Sequence, residues 1–192
     1  MTVLLIGLAI FIGVHTMLVV MPEWRHAQIA RFGLWPWRTA FGAVSLTGLA
    51  LTVAGYGIAR RTPVWLWFPP PWMPYLAALF MLLAAILLAA AFVHGNHFKQ
   101  KLGRPLIASV LLWACAHLLA NGTLHAVILF GAFFVWAALG WMVWRWQDRA
   151  NNVTFANGRF SRDVATIVAG AIVWAIFAFA LHGWLIGVYP LG

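Results

Sequence analysis

Residues 106–144 read LIASVLLWACAHLLANGTLHAVILFGAFFVWAALGWMVW, without a single Asp, Glu, Lys or Arg. As one helix this run would extend about 58 Å at ~1.5 Å per residue, roughly twice the hydrocarbon thickness of a bilayer. Asn121-Gly122-Thr123 interrupts it near the middle, with the residue types of a tight turn. The stretch therefore predicts a helical hairpin, with spans at 106–120 and 124–144 and a turn at the membrane edge.

The same criterion applied outward finds four more charge-free windows, at residues 2–21, 39–59, 75–93 and 164–184. Pro63, Pro69, Pro70, Pro71 and Pro74 stop any helix between the second and third. The alternating pattern of barrel strands is absent. Composition agrees: 65% of the 192 residues are hydrophobic, 8% are charged, and 13 are Trp. With a mean hydropathy of +0.93, no soluble fold of this length could bury that apolar surplus. The expected fold is an all-α integral membrane protein, a single domain over residues 1–192 built as a bundle of about six transmembrane helices.

The net charge of +9 is not a nucleic-acid footprint, because its cations fall in short clusters between apolar runs. Arg25, Arg31, Arg38, Lys99, Lys101, Arg104, Arg145, Arg149, Arg159 and Arg162 lie on the odd-numbered connections, and only Arg60 and Arg61 on the even ones. The positive-inside rule then places both termini outside the cytoplasm. The first window lacks a basic flank and a small-residue cleavage site, so it reads as a span and not a removed signal. Trp24, Trp35, Trp37, Trp65, Trp67, Trp72, Trp144 and Trp146 cluster at span ends, as interfacial anchors do. Gly183-x-x-x-Gly187 matches a helix-contact motif at the end of the last span.

Glu23, Asp148 and Asp163 are expected in loops, which leaves no mid-membrane carboxylate for ion-coupled transport. Histidine remains. His15 and His117 lie well inside apolar windows, while His26, His94, His97, His125 and His182 lie in loops or near span ends. A neutral imidazole is a good metal ligand without a charge penalty, so a buried pair suits haem. Counted from the window edges, the two α-carbons differ in depth by roughly 8 Å, an offset that a tilted haem tolerates. The plainer alternative is interhelical hydrogen bonding, which is also the expectation for His125 and His182. Trp113, Ala114 and Asn121 share the His117 face at helical spacing, whereas Cys115 points elsewhere as a small buried apolar residue. His94 and His97 lack thiolates and a third ligand, and read as a wet interfacial loop.

Gly13-Val14-His15-Thr16, Gly55-Tyr56-Gly57 and the segment from Leu112 to Gly122 resemble the NnrU family. The likeness runs over nearly the whole chain, including the Pro-Pro-x-Trp loop ending at Trp72. Its most specific part is Trp113-x-x-x-His117-Leu118-x-Ala120-Asn121-Gly122. NnrU proteins are bacterial inner-membrane proteins associated with nitrite and nitric oxide metabolism. They share a superfamily with the 15-cis-zeta-carotene isomerases, which are membrane haem b proteins. The resemblance implies haem b with His15 and His117 as iron ligands. Two features differ. The isomerases carry Cys three residues before the second His, where this chain has Ala114, and a family Arg-His-Pro is Gly103-Arg104-Pro105 here.

The leading expectation is a multi-pass haem b protein of the bacterial inner membrane, acting by electron transfer, gas sensing or support of a nitrogen-oxide reductase. Trp113 and Asn121 would flank the second ligand, and Arg38 and Arg104 would meet the propionates. The enzyme alternative is a haem-dependent cis-trans isomerase of a carotenoid-type polyene. A third reading is a cofactor-free accessory subunit of a larger membrane complex, with a passive conduit behind it. Substrate, electron donor, coordination number and oligomeric state are not encoded in any motif.

Overall fold

The structure, a computed structural model, describes residues 1–191. Its helices are α1 (Thr2–Val20), α2 (Pro22–Phe32), α3 (Leu34–Ala59), α4 (Met73–Phe92), α5 (His97–Leu102), α6 (Pro105–Ala120), α7 (Leu124–Ala150) and α8 (Phe160–Ile176). A π-helical turn, Phe177–Leu181, then leads into α9 (His182–Ile186). No strand occurs among the described residues; one isolated bridge joins Trp65 and Thr123. The protein is an all-α membrane protein. Five stretches are long and apolar enough to cross a bilayer: α1, α3, α4, α7 and the continuous run Phe160–Ile186.

The sixth, α6, has 16 residues, or about 24 Å of helix. Pro105 at its first position fixes the start, since it has no N–H to donate, and extended Asn121 (φ −130°, ψ 113°) ends it. The hairpin turn falls where the sequence places it. Thr123 pairs with Trp65, and the Leu124 N–H donates to Val64 O at 2.8 Å.

Other boundaries differ from the apolar windows. Charged residues are as helix-competent as apolar ones, so helices run on past the hydrocarbon edge. α3 begins at Leu34 with Pro36 in its first turn, α7 continues to Ala150, and α8 starts at Phe160. The acids expected in loops therefore lie on helices: Glu23 in the first turn of α2, Asp148 near the end of α7, and Asp163 in the first turn of α8.

The chain divides into two compact units. The first comprises residues 1–67 and 123–136; the second comprises residues 68–122 and those from Ala137 onward, so α7 contributes to both. In the first unit α1 packs on α3. Apolar burial does not drive helices together in lipid, so close van der Waals packing must. Gly7, Gly48 and Gly55 permit it. A Cβ at Gly48 would lie 2.7 Å from Phe11 N, and at Gly55 or Gly7 it would strike the backbone of Leu4 or Thr52. The first half of α7 adds Phe133 against Phe11, at 5.7 Å between ring centroids, and Phe130 against Tyr56 at 6.3 Å.

In the second unit α4 packs on both α6 and α8. Ala77, Ala84 and Ala90 of α4 and Ala114 and Ala116 of α6 are buried, and Gly170 of α8 lets its helix approach Ile86. Gly183 and Gly187 do not form an open contact stripe. The Tyr189 ring covers Gly183, and Gly187 is a left-handed cap (φ 75°, ψ 20°) whose N–H bonds Gly183 O at 3.0 Å.

Candidate functional site

The two histidines singled out by the sequence lie in different units, His15 on α1 and His117 on α6. Each is half-buried, and each makes the same local bond. His15 Nδ1 lies 2.7 Å from Phe11 O, and His117 Nδ1 lies 2.9 Å from Trp113 O, four residues upstream in both cases. A carbonyl oxygen only accepts, so Nδ1 carries the hydrogen in both rings. The lone pair is then on Nε2, the nitrogen that projects farthest from the backbone. An outer-shell hydrogen bond of this kind fixes the tautomer and orientation of metal-ligating histidines.

Their surroundings are aromatic. The His15 ring is 4.4 Å from Phe11, 5.3 Å from Phe41 and 6.2 Å from Trp136, centroid to centroid. His117 is 5.2 Å from Trp113 at 47°, as the i, i+4 spacing expects. Asn121 turns back on its own helix, donating from Nδ2 to His117 O at 2.9 Å. Ala114, at the position of the isomerases' cysteine, is fully buried, and Cys115 is half-buried. In the first unit the buried Ser45 Oγ has no hydrogen-bond partner. The Gly48–Phe11 contact sets a register that brings Ser45 to the level of Val14 and His15.

The two arginines are differently placed. Arg38 is exposed, with its guanidinium 5.7 Å from the Trp35 ring. Arg104 makes a two-pronged ion pair with Asp148, Nε to Oδ2 at 3.1 Å and Nη2 to Oδ1 at 2.7 Å, and lies 5.3 Å over Trp144. Sequence reasoning missed that pair, because 44 residues separate its partners and no local pattern announces it.

Three histidine expectations need correction. His125 does not bond across helices: it pairs locally with the Thr123 hydroxyl at 3.2 Å and sits edge-on to Tyr56 at 4.9 Å. His182 donates from Nδ1 to Val188 O at 2.6 Å, six residues along its own chain. His97 is not in a loop but opens α5, held by Asp163 through its backbone N–H (2.7 Å) and Nδ1 (2.6 Å). The preceding residue, Asn96, is fully buried and caps α5 by accepting from Lys99 N at 2.7 Å. An Asn just before a short basic helix was the signal for that cap.

Among the described residues no three His, Cys, Asp or Glu side chains come together as a metal cluster. His15 and His117, in the tautomer their Nδ1–H bonds set, could each hold an iron through Nε2. No curated protein and no solved structure matches the chain. A family model described as NnrU protein matches residues 3–190, and the chain belongs to the NnrU family.

Proposed function

We propose that this protein binds haem b in a bacterial inner membrane and serves nitrite and nitric oxide metabolism through redox or nitric oxide chemistry. In this reading His15 and His117 would be the residues that hold the iron. The observation that carries it is the matched pair of Nδ1–H bonds to the i−4 carbonyls, which leave the lone pair of each ring on Nε2. The partnerless Ser45 hydroxyl also fits, since a buried polar atom without a partner calls for one from a ligand. Bound haem would supply a one-electron couple and a site for a diatomic gas.

The chain's own residues do the rest. Phe11, Phe41 and Trp136 surround the His15 ring, and Trp113 lies beside His117. The carbonyls of Phe11 and Trp113 hold each imidazole in one tautomer. Arg38 is exposed and available to a propionate, and Arg104 would have to share its guanidinium with Asp148. A membrane redox protein or nitrogen-oxide reductase is the partner this reading implies.

The test is haem content, by pyridine haemochrome, of wild type, His15→Ala, His117→Ala and His125→Ala purified from haem-supplied cells. Loss in the first two variants and retention in the third is the expected result. Wild-type haem levels in both His15→Ala and His117→Ala would overturn it.

A further inference from the structure

The second unit contains an open cleft of about 480 Å³. It is walled by Lys101 of α5, by Arg145 and Arg149 of α7, and by the segment after α7 that carries Phe155. Cavities of this size accommodate a substantial small ligand. One carboxylate lines it, Asp148, and both its oxygens are engaged by Arg104. Lys101, Arg145 and Arg149 are thus gathered on one cleft whose lining carboxylate is already paired, and the further acid that interacts with Lys101, Asp163, is bonded to His97.

The positive-inside rule accounts for cations on this face, but it would scatter them and does not build walls. Here the walls are fixed. Val153 N–H donates to Asp148 O at 2.9 Å, just after Asn152 takes a left-handed conformation (φ 50°). Phe155 packs on Gly103, where a Cβ would lie 2.8 Å from the ring. Farther on, Gly158 N–H donates to Gln100 Oε1 at 2.8 Å, and Arg159 N–H to Gly95 O at 2.9 Å. The connection between α7 and α8 is therefore docked onto α5 and the turns that flank it. Arg145 adds a long bond from Nη1 to Lys101 O at 3.4 Å, which draws α5 and α7 together at the cavity.

We propose that this cavity is a binding site for a phosphate-bearing anion. Two guanidinium forks and an ammonium match the several acceptor oxygens and the charge of a phosphate monoester better than they match a single carboxylate. The cleft exceeds inorganic phosphate in size and has room for a larger group that carries the phosphate. That group is either the glycerol backbone of an anionic lipid or a soluble phosphorylated metabolite. Trp141, Trp144 and Trp146 flank the cations on α7, as residues at headgroup depth do. The site does not depend on haem.

The test uses the full chain purified in a neutral detergent and titrated, at fixed salt, with dioctanoyl phosphatidic acid, dioctanoyl glycerol and glycerol 3-phosphate. Saturable binding of phosphatidic acid but not of dioctanoyl glycerol is expected. It should weaken about five-fold in Lys101→Ala and in Arg149→Ala, and on the order of twenty-fold in the double variant. Both side chains are exposed, so their truncation leaves the fold intact, which size-exclusion profiles check. Arg162→Ala, an exposed cation outside the cavity, should bind as wild type does. Binding of glycerol 3-phosphate with the same variant pattern assigns the site to a soluble ligand, and its absence assigns it to lipid. Failure of any phosphate compound to bind saturably, or an equal loss in Arg162→Ala, would overturn the proposal.

Discussion

The two units are held by different physics. In the first, α1 and α3 meet backbone to backbone through Gly7, Gly48 and Gly55, and Thr52 on this face bonds within its own helix, to Gly48 O at 2.8 Å. In the second, alanine faces pack the spans, but one end is tied by long-range polar bonds: Arg104 to Asp148, His97 to Asp163 and Gln100 to Asn157 and Gly158. Lipid offers no hydrophobic drive for helix association, so closeness must come from small side chains. Water beyond the hydrocarbon permits charge and hydrogen bonding, so the second unit uses them where its chain emerges.

Substitutions should separate the two mechanisms. The largest effect is expected at Gly55→Val, whose side chain has no room against the Leu4 backbone; about 3 kcal/mol of stability should be lost on thermal unfolding in detergent. A change under about 0.5 kcal/mol would mean that α1 and α3 are held by something other than close approach. Asn96→Ala should cost about 2 kcal/mol. It removes the cap of α5 and the fully buried amide's bonds to Ala90 O and Val93 O.

Breaking Asp148 from Arg104 with Asp148→Ala should cost about 1 to 2 kcal/mol. The carboxylate is buried, but the arginine side chain is 41% exposed and water screens part of the attraction. A double cycle with Arg104→Ala would isolate the pair term. Gly187→Ala should have the smallest effect, about 1 kcal/mol, from forcing a Cβ into a left-handed cap.

Much of the fold was legible because hydrocarbon thickness imposes a length on every span. The turn at Asn121-Gly122-Thr123 is where the charge-free run had to break, and Pro105 marks the start of α6 as proline chemistry requires. What escaped lies outside the hydrocarbon. α2 carries Pro22 at its first position and Glu23 in its first turn, both helix-start signals, but its basic residues read as a loop. The pairings of Asp148 and Asp163 close over 44 and 66 residues, and no periodicity encodes them. The π-helical turn at Phe177–Leu181 has no sequence signature at all. For the site, the position of His117 within a helix was legible, but its bond to Trp113 O was not, because hydrogen bonds to a backbone carbonyl depend on a rotamer.

The most direct test of the haem reading is the absorption spectrum of the detergent-purified protein, oxidised and dithionite-reduced, with haem quantified per chain. Sharp reduced bands of a six-coordinate, two-histidine haem b at about one haem per chain are the expected result. A chain purified from haem-replete cells with no haem, or with a five-coordinate iron that survives His15→Ala unchanged, would contradict it.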